Sequence, residues 1–520
     1  MTLRRLLGSE RLWATLGILL ALLWFTQTLL LPPVYRGMLC CDAADYMRGA
    51  ESSKLEQVLN EGAKNQRSEV PDNKKMSEAS NAKTNLASPL LRVIKLLFSD
   101  AGYRPVGYSA FLAMHKYALL TLGVRASTAW VNAASMTALL LHFVAMFFFY
   151  RTAKSVYPVH PFAFFLLLAH PGLTSHAAIP LSDSLAISVL LIALCSIYRS
   201  LSTHGRESHG LAIGSGALIG LLLWIRSPHF FAVGLLMAGW IVLAALYRSR
   251  KALLIACVTA LTMGIVLSPR LIACSRASGS LCFTPPAQAS TQTFILLDLG
   301  LRNIRAYTVA GPEHAARLVT VDDPLLTAIF QGNCTFHEAT VTRDLGICLL
   351  RHAPGIPLLY AKKLVGLFDN FHWETYATVM TPQPVIVMNR IFGAVGFAGF
   401  VFFLCGYAWM LCRKSLPLKI AVPLLYPIVY FAFFALLPIE SRYGLPLAPF
   451  GIVTLIALWP MGWKLQRWRF LAVTMLLIAV FVAQTVVWDR GDPAKYGTAN
   501  GEIENTITGK PSPESAELLV

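Results

Sequence analysis

Two aspartates three residues apart, Asp42 and Asp45 in Cys40-Cys41-Asp42-Ala43-Ala44-Asp45-Tyr46, are the residues of this sequence best suited to acid–base chemistry. Carboxylates at i and i+3 share one face of a helix. They follow a hydrophobic run, residues 12–31, which is preceded by Arg4, Arg5 and Arg11. A run of about 20 apolar residues crosses the hydrocarbon core as a helix, and cations ahead of it hold its start in the cytoplasm. Both aspartates are therefore expected on the outer face, near the lipid headgroups. A carboxylate half-shielded there by lipid and protein is a better base than one in bulk water.

The elements that must position this pair belong to a membrane protein. Hydrophobic residues make up 56% of the chain and charged residues 14%, and mean hydropathy is +0.57. A soluble globular chain has about 25% charged residues. The first run is too long for a signal peptide and lacks an A-x-A-like cleavage site, so a retained anchor is expected. The net charge of +17 does not point to nucleic acid as a partner. Many of its cations lie in short loops between apolar spans, where they orient the chain, and others suit anionic lipid headgroups.

Ten further spans follow, giving about eleven transmembrane helices in an all-α polytopic fold. The second covers residues 127–150, the third 161–179, the fourth 184–198 and the fifth 211–225. The sixth ends at Arg248, Arg250 and Lys251, and the seventh near Pro269-Arg270. The eighth covers 391–411, the ninth ends near Pro438, the tenth covers 444–461 and the eleventh closes near Trp488. Every second loop carries the cations, which predicts a cytoplasmic amino terminus and an extracytoplasmic carboxyl terminus.

Four units are expected: a core over 1–270 with its first outer loop at 32–126, an outer cap at 271–389, carboxyl-terminal helices at 390–490 and a flexible outer tail at 491–520. Residues 51–88 are too polar to bury a core. Pro89 to Phe98 has the pattern of a helix lying in the interface. The cap reads as partly helical, with its 352–378 stretch lying along the interface.

Six cysteines face outward by this topology: Cys40, Cys41, Cys274, Cys282, Cys334 and Cys348. Cys274–Cys282 and Cys334–Cys348 are the expected bridges, although sequence alone leaves connectivity open. The histidines are scattered without ligand spacing, so no metal site is indicated.

A second polar stretch, Tyr103-Arg104-Pro105-Val106-Gly107-Tyr108, precedes the second span. Pro180-Leu181-Ser182-Asp183-Ser184 opens the fourth, and Ser441-Arg442-Tyr443-Gly444-Leu445-Pro446 precedes the tenth. Asp-x-x-Asp-Tyr after the first span and Arg-Pro-x-Gly-Tyr before the second resemble the GT-C superfamily of membrane glycosyltransferases. The closest branch is that of the protein O-mannosyltransferases and the bacterial lipid A aminoarabinose (ArnT-like) transferases. The insert at 51–88 departs from the family pattern, in which those two motifs lie closer together.

The resemblance implies a sugar moved from a polyprenyl-phosphate donor to an acceptor at the outer face of a bacterial inner membrane, among membrane lipids. It places Asp42 as the catalytic base, with Asp45 as runner-up or positioning group. A lipid phosphate leaves readily, so one carboxylate suffices for an inverting displacement, whereas hydrolases of ordinary glycosides use two. Arg104, Arg270 and Arg442 are candidates to hold the leaving phosphate, and Tyr46, Tyr108, Asp183 and Tyr443 to position substrate. No cofactor is required, although Asp42 with Asp183 could bind a divalent cation. Simpler roles stay open: Arg104, Arg270 and Arg442 as headgroup anchors, and Asp183 as a helix N-terminal acid. The alternative function is a transporter or flippase of lipid-linked sugars, which needs ionisable groups midway along several spans.

Overall fold

A computed structural model describes residues 9–31, 46–47, 106–124, 127–279, 282, 297, 299–310, 316–334, 336–337, 340–369, 383–413, 415–465 and 467–490. The bundle begins with α1 (Glu10–Leu29), α2 (Val106–Thr121), α3 (Ser127–Val156), α4 (Phe162–Ala169) and α5 (Pro171–Ala178). It continues with α6 (Ser182–Ser202), α7 (Gly205–Ile225), α8 (His229–Leu246) and α9 (Arg250–Ser278). An antiparallel hairpin follows, β1 (Asn303–Ala310) and β2 (Ala316–Asp322), with Asn303 opposite Asp322. Three short helices come next: α10 (Pro324–Phe330), α11 (Val341–Arg351) and α12 (Ile356–Phe368). The bundle then resumes with α13 (Gln383–Cys412), α14 (Leu418–Phe434), α15 (Ala448–Leu465) and α16 (Arg467–Arg490).

Eight of these helices, α1, α3, α6, α7, α8, α9, α13 and α16, are long and apolar enough to cross a membrane. Shorter apolar stretches, α4 with α5, α14 and α15, occupy the places of the expected third, ninth and tenth spans. The chain is an all-α polytopic membrane protein whose described strands form one hairpin. At its centre lies α6, packed on α3, α5, α7 and α14. It is buried nearly all round, as befits a helix that is apolar on every side. On α1 and α16 the exposed Leu19, Leu23, Met475 and Leu476 form the surface a bilayer covers.

Three details differ from the sequence reading. The third span is broken at His170, whose backbone is extended (ψ 112°) while its ring accepts from the Leu173 amide as the N-cap of α5. The residue before a proline avoids the helical region, and here that proline is Pro171. The seventh span does not stop at Pro269-Arg270: α9 runs through Pro269 to Ser278 and closes on Gly279 at φ 71°, a left-handed cap suited to glycine. The cap contains a hairpin as well as helices, and its helix α12 is largely buried. Residues 89–98 and the tail at 491–520 lie outside the described residues. The disulfides Cys274–Cys282 and Cys334–Cys348 both form.

A buried polar network ties the cap to the bundle. Arg305 of β1 pairs with Asp369 at the end of α12 and with Asp489 of α16. Arg390 of α13 grips the same Asp489 through two bonds of 2.7 and 2.5 Å. Asp323 caps α10 by accepting from the Leu325 and Leu326 amides. Its second oxygen takes the Trp488 indole N–H at 3.1 Å and the Lys362 ammonium at 3.1 Å. Burial pushes the Asp323 carboxyl up, but the Trp488 and Lys362 donors and the Leu326 amide outweigh it and hold it below the usual carboxylate range.

Asp323→Ala removes a helix cap and strands the buried Trp488 N–H, so a loss of about 2–4 kcal/mol is expected, read as a lower melting temperature in detergent. Because the native carboxyl is depressed, the wild-type advantage is full above about pH 4 and fades as pH falls through the native value. An advantage that instead grew below that pH would remove Asp323 from this role.

Candidate active site

Asp42, Asp45 and Arg104 lie outside the described residues, but the residues beside them do not. Tyr46, the last residue of the acidic stretch, is 3% exposed. Its hydroxyl shares a 3.1 Å hydrogen bond with Ser182 Oγ. Its carbonyl accepts from Ser109 Oγ at 3.0 Å, and its ring meets Tyr108 edge to face at 4.9 Å. Tyr46 is thereby fastened to the first turn of α2 and the first residue of α6.

Asp183, the second residue of α6, sits between two guanidinium groups. Arg226 Nη1 lies 2.9 Å from Asp183 Oδ2 and donates to Ser182 Oγ at 3.3 Å. Arg442 Nη1 lies 3.6 Å from the same carboxylate oxygen, and its Nε is 2.5 Å from Glu440 Oε2. Side-chain exposure is 8% at Arg226, 7% at Arg442 and 2% at Asp183, so these charges are stable only as a paired group. Both guanidinium carbons stand 5.6 Å from the centroid of the Tyr443 ring, a distance at which a cation is held by an aromatic face. Tyr443 in turn donates to Glu440 Oε1 at 3.1 Å.

Local sequence explains how these groups meet. At Gly107 an added Cβ would lie 2.5 Å from the Trp224 carbonyl oxygen. Only glycine lets the start of α2 rest against the end of α7, which brings Tyr108 beside the turn carrying Arg226. Gly444 does the same on the other side, where a Cβ would overlap the Leu367 carbonyl of α12. The Ser441–Tyr443 turn is therefore clamped between cap and bundle. Tyr443 packs on Phe434, and Phe434 stacks on Tyr430 at 4.1 Å. Beyond them His229 Nδ1 and the Tyr426 hydroxyl are 2.5 Å apart, completing an aromatic wall from α8 and α14.

Of the arginines singled out in the sequence, Arg442 joins this group. Arg270 is buried one residue past Pro269. Arg226 and Glu440 were missed. A usable signal existed: Arg226, like Arg270 and Arg442, is a cation at the cation-poor ends of the spans, where orientation gives it no reason to be. Both guanidinium groups face the same oxygen of Asp183, Oδ2. Among the described residues no group of three or more His, Cys, Asp or Glu side chains could hold a metal ion.

The arrangement offers two fixed arginines, oriented by carboxylates and an aromatic face, beside the end of an acidic stretch. Fixed cations of this kind are suited to a negative charge that develops beside them.

No family model and no curated protein matches the sequence. Two solved structures are similar in part. One is the archaeal oligosaccharyltransferase AglB from Archaeoglobus fulgidus in complex with an inhibitory peptide and a dolichol-phosphate, at 12% identity and TM-score 0.38, covering 75% of this chain and 48% of that one. The other is the Archaeoglobus fulgidus oligosaccharyltransferase in the apo form, at 13% identity and TM-score 0.40, covering 76% of this chain and 48% of that one. The chain spans about half the length of the structures it matches, and similarity at this level carries neither family nor activity across.

Asp183→Asn leaves Arg226 and Arg442 without their shared charge, and a stability loss of about 3–5 kcal/mol is expected. Ser182→Ala, which removes one neutral partner, should lower stability by about 1 kcal/mol. Thermal melting in detergent compares the two, and equal small effects would mean that Asp183 does not hold the arginines.

Proposed function

We propose that this chain is a GT-C-type membrane glycosyltransferase that moves a sugar, with inversion, from a polyprenyl-phosphate donor to an acceptor at the outer face of the membrane. One observation carries the reading. Tyr46, Tyr108, Ser182-Asp183 and Arg442-Tyr443 come from four sequence motifs far apart in the chain, and they converge on one buried polar site. A scaffold without chemistry gives no reason for that convergence.

In the proposed reaction the acceptor hydroxyl oxygen attacks the anomeric carbon as the bond from that carbon to the phosphate oxygen breaks. Asp42 takes the hydroxyl proton, with Asp45 beside it as positioning group. Polyprenyl phosphate departs with the bonding electrons and needs no proton, because the phosphate is already a good leaving group. Its growing charge meets Arg226 and Arg442, with Arg104 and Arg270 as further cations toward the lipid. Asp183 and Glu440 keep the two buried arginines aimed while the site is empty. No cofactor enters this scheme.

A transporter or flippase of lipid-linked sugars would need ionisable groups strung along a path through the bundle. The described ion pairs of the bundle, Asp183 with Arg226 and Arg442 and Asp489 with Arg305 and Arg390, lie at or near helix ends instead.

Asp42→Asn is expected to insert and melt as wild type while transfer falls by orders of magnitude. The probe is a panel of radiolabelled polyprenyl-phosphate sugars incubated with the enzyme in vesicles of bacterial lipid. Unchanged turnover would move the base to Asp45. Arg226→Gln should slow transfer roughly 10²–10³-fold, as loss of one charge-stabilising donor does. Thiol labelling of a cysteine placed at position 42 must come from the outer side; labelling from the cytosol would end the proposal.

A further inference from the structure

At the other end of the bundle from Asp183 lies an apolar cavity of about 350 Å³. It is enclosed by α3, α6, α13, α14 and α15, with Phe149, Tyr157, Tyr198, Phe403, Trp409 and Leu424 among its walls. Its contributors on α6 begin at Leu194 and end at Tyr198. They lie 11 to 15 residues past Asp183, roughly 20 Å along the helix at about 1.5 Å per residue. The cavity thus belongs to the opposite leaflet from the candidate active site.

Its interior is mostly apolar, and several of its polar groups are already engaged. The Tyr407 hydroxyl donates to the Ala421 carbonyl at 3.1 Å, the Tyr157 hydroxyl to Met410 Sδ at 3.9 Å, and the Tyr198 hydroxyl accepts from Ser155 at 3.3 Å. Apart from Thr152, Thr454 and Cys195, the remaining wall is aromatic and aliphatic, which suits a hydrocarbon chain. The volume falls within the roughly 300–1,000 Å³ of ligand pockets in general.

The rim is different. Arg199 follows the wall residue Tyr198, Lys419 precedes the wall residue Ile420, and Arg413 stacks 3.9 Å from the ring centroid of Trp409, itself a wall residue. All three cations are exposed, and among the described residues none has a carboxylate partner. The neighbouring Lys154, by contrast, is paired with Glu10. An apolar slot whose wall residues are flanked in the chain by uncompensated cations, one of them stacked on a wall tryptophan, suits an anionic phospholipid.

We propose that this cavity is a binding site for one anionic phospholipid of the leaflet opposite the active site. An acyl chain fills the slot, and the phosphate rests on Arg199, Arg413 and Lys419. The proposal depends on membrane insertion but not on the glycosyltransferase reading.

The test reconstitutes the full chain into vesicles of equimolar palmitoyl-oleoyl phosphatidylglycerol and phosphatidylcholine, extracts it in mild detergent and counts retained lipid by native mass spectrometry. Wild type should keep one phosphatidylglycerol. A Cβ at Gly406, which borders the cavity, meets no atom within 4 Å, so Gly406→Phe can fill the slot and should lower retention at least tenfold, with Gly406→Ala retaining the lipid. Arg199→Gln, Arg413→Gln and Lys419→Gln together should abolish the preference for phosphatidylglycerol while leaving some phosphatidylcholine bound. These three exposed positions decide the matter even if Gly406→Phe does not fold. Unchanged retention in the filled variant, equal retention of both lipids by wild type, or co-purification of polyprenyl phosphate in place of phospholipid would each overturn the proposal.

Discussion

Asp183 is the constraint on which the rest of this structure turns. Two guanidinium groups cannot be buried near the end of a helical bundle unless a carboxylate faces both, and Asp183 does so from the second residue of α6. A carboxylate at that position also lies in the favourable field of a helix N-terminus. Once it is fixed, the end of α7 must bring Arg226 in from one side, and the turn before α15 must bring Arg442 in from another. The glycines at 107 and 444 allow that meeting by letting backbones approach closely.

The cap participates in the same arrangement. Lys363 of α12 donates to the Asn303 and Leu437 carbonyls, and Asn303 Oδ1 accepts from the Ile439 amide. These contacts hold the backbone immediately before Glu440. Asp323, Arg305 and Asp489 then fasten the cap to the far end of α16. The turn carrying Glu440, Arg442 and Tyr443 is thus fixed from outside the bundle as well as from within. A region that reads in the sequence as a separate lid is part of what positions the arginines.

Much of this was legible in the sequence because it is local. Runs of apolar residues mark spans wherever they occur, and each expected span has a helical counterpart. The two bridges join cysteines 8 and 14 residues apart, near neighbours among six cysteines whose connectivity the sequence leaves open. Tyr46, Tyr108, Asp183, Arg442 and Tyr443 were recognisable because each sits in a short motif at a span end. Arg226 is marked only by being a cation at a cation-poor span end, and its pairing with Asp183 joins two helices in a way no local pattern encodes. The break at His170 and the continuation of α9 through Pro269 show the same limit. A proline interrupts or merely bends a membrane helix according to whether its neighbours re-satisfy the freed backbone. The β1–β2 hairpin was hidden because its alternation is short and sits in a stretch read as helical.

The pairing also explains how one site can be stable in two states. Without a bound anion, Asp183 and Glu440 balance the charges of Arg226 and Arg442, and the buried group is formally neutral. Each guanidinium has five N–H donors in a planar fork, more than its carboxylate contacts consume. The Tyr443 ring fixes the planes from one face without using any donor. In the proposed reaction the phosphate meets two arginines whose positions Asp183 and Glu440 already set. Preorganisation of this kind is what makes buried cations effective toward a charge that develops during reaction. It also favours two arginines over two lysines here, because an ammonium carries no plane for a ring to fix and no second donor edge to turn toward the ligand.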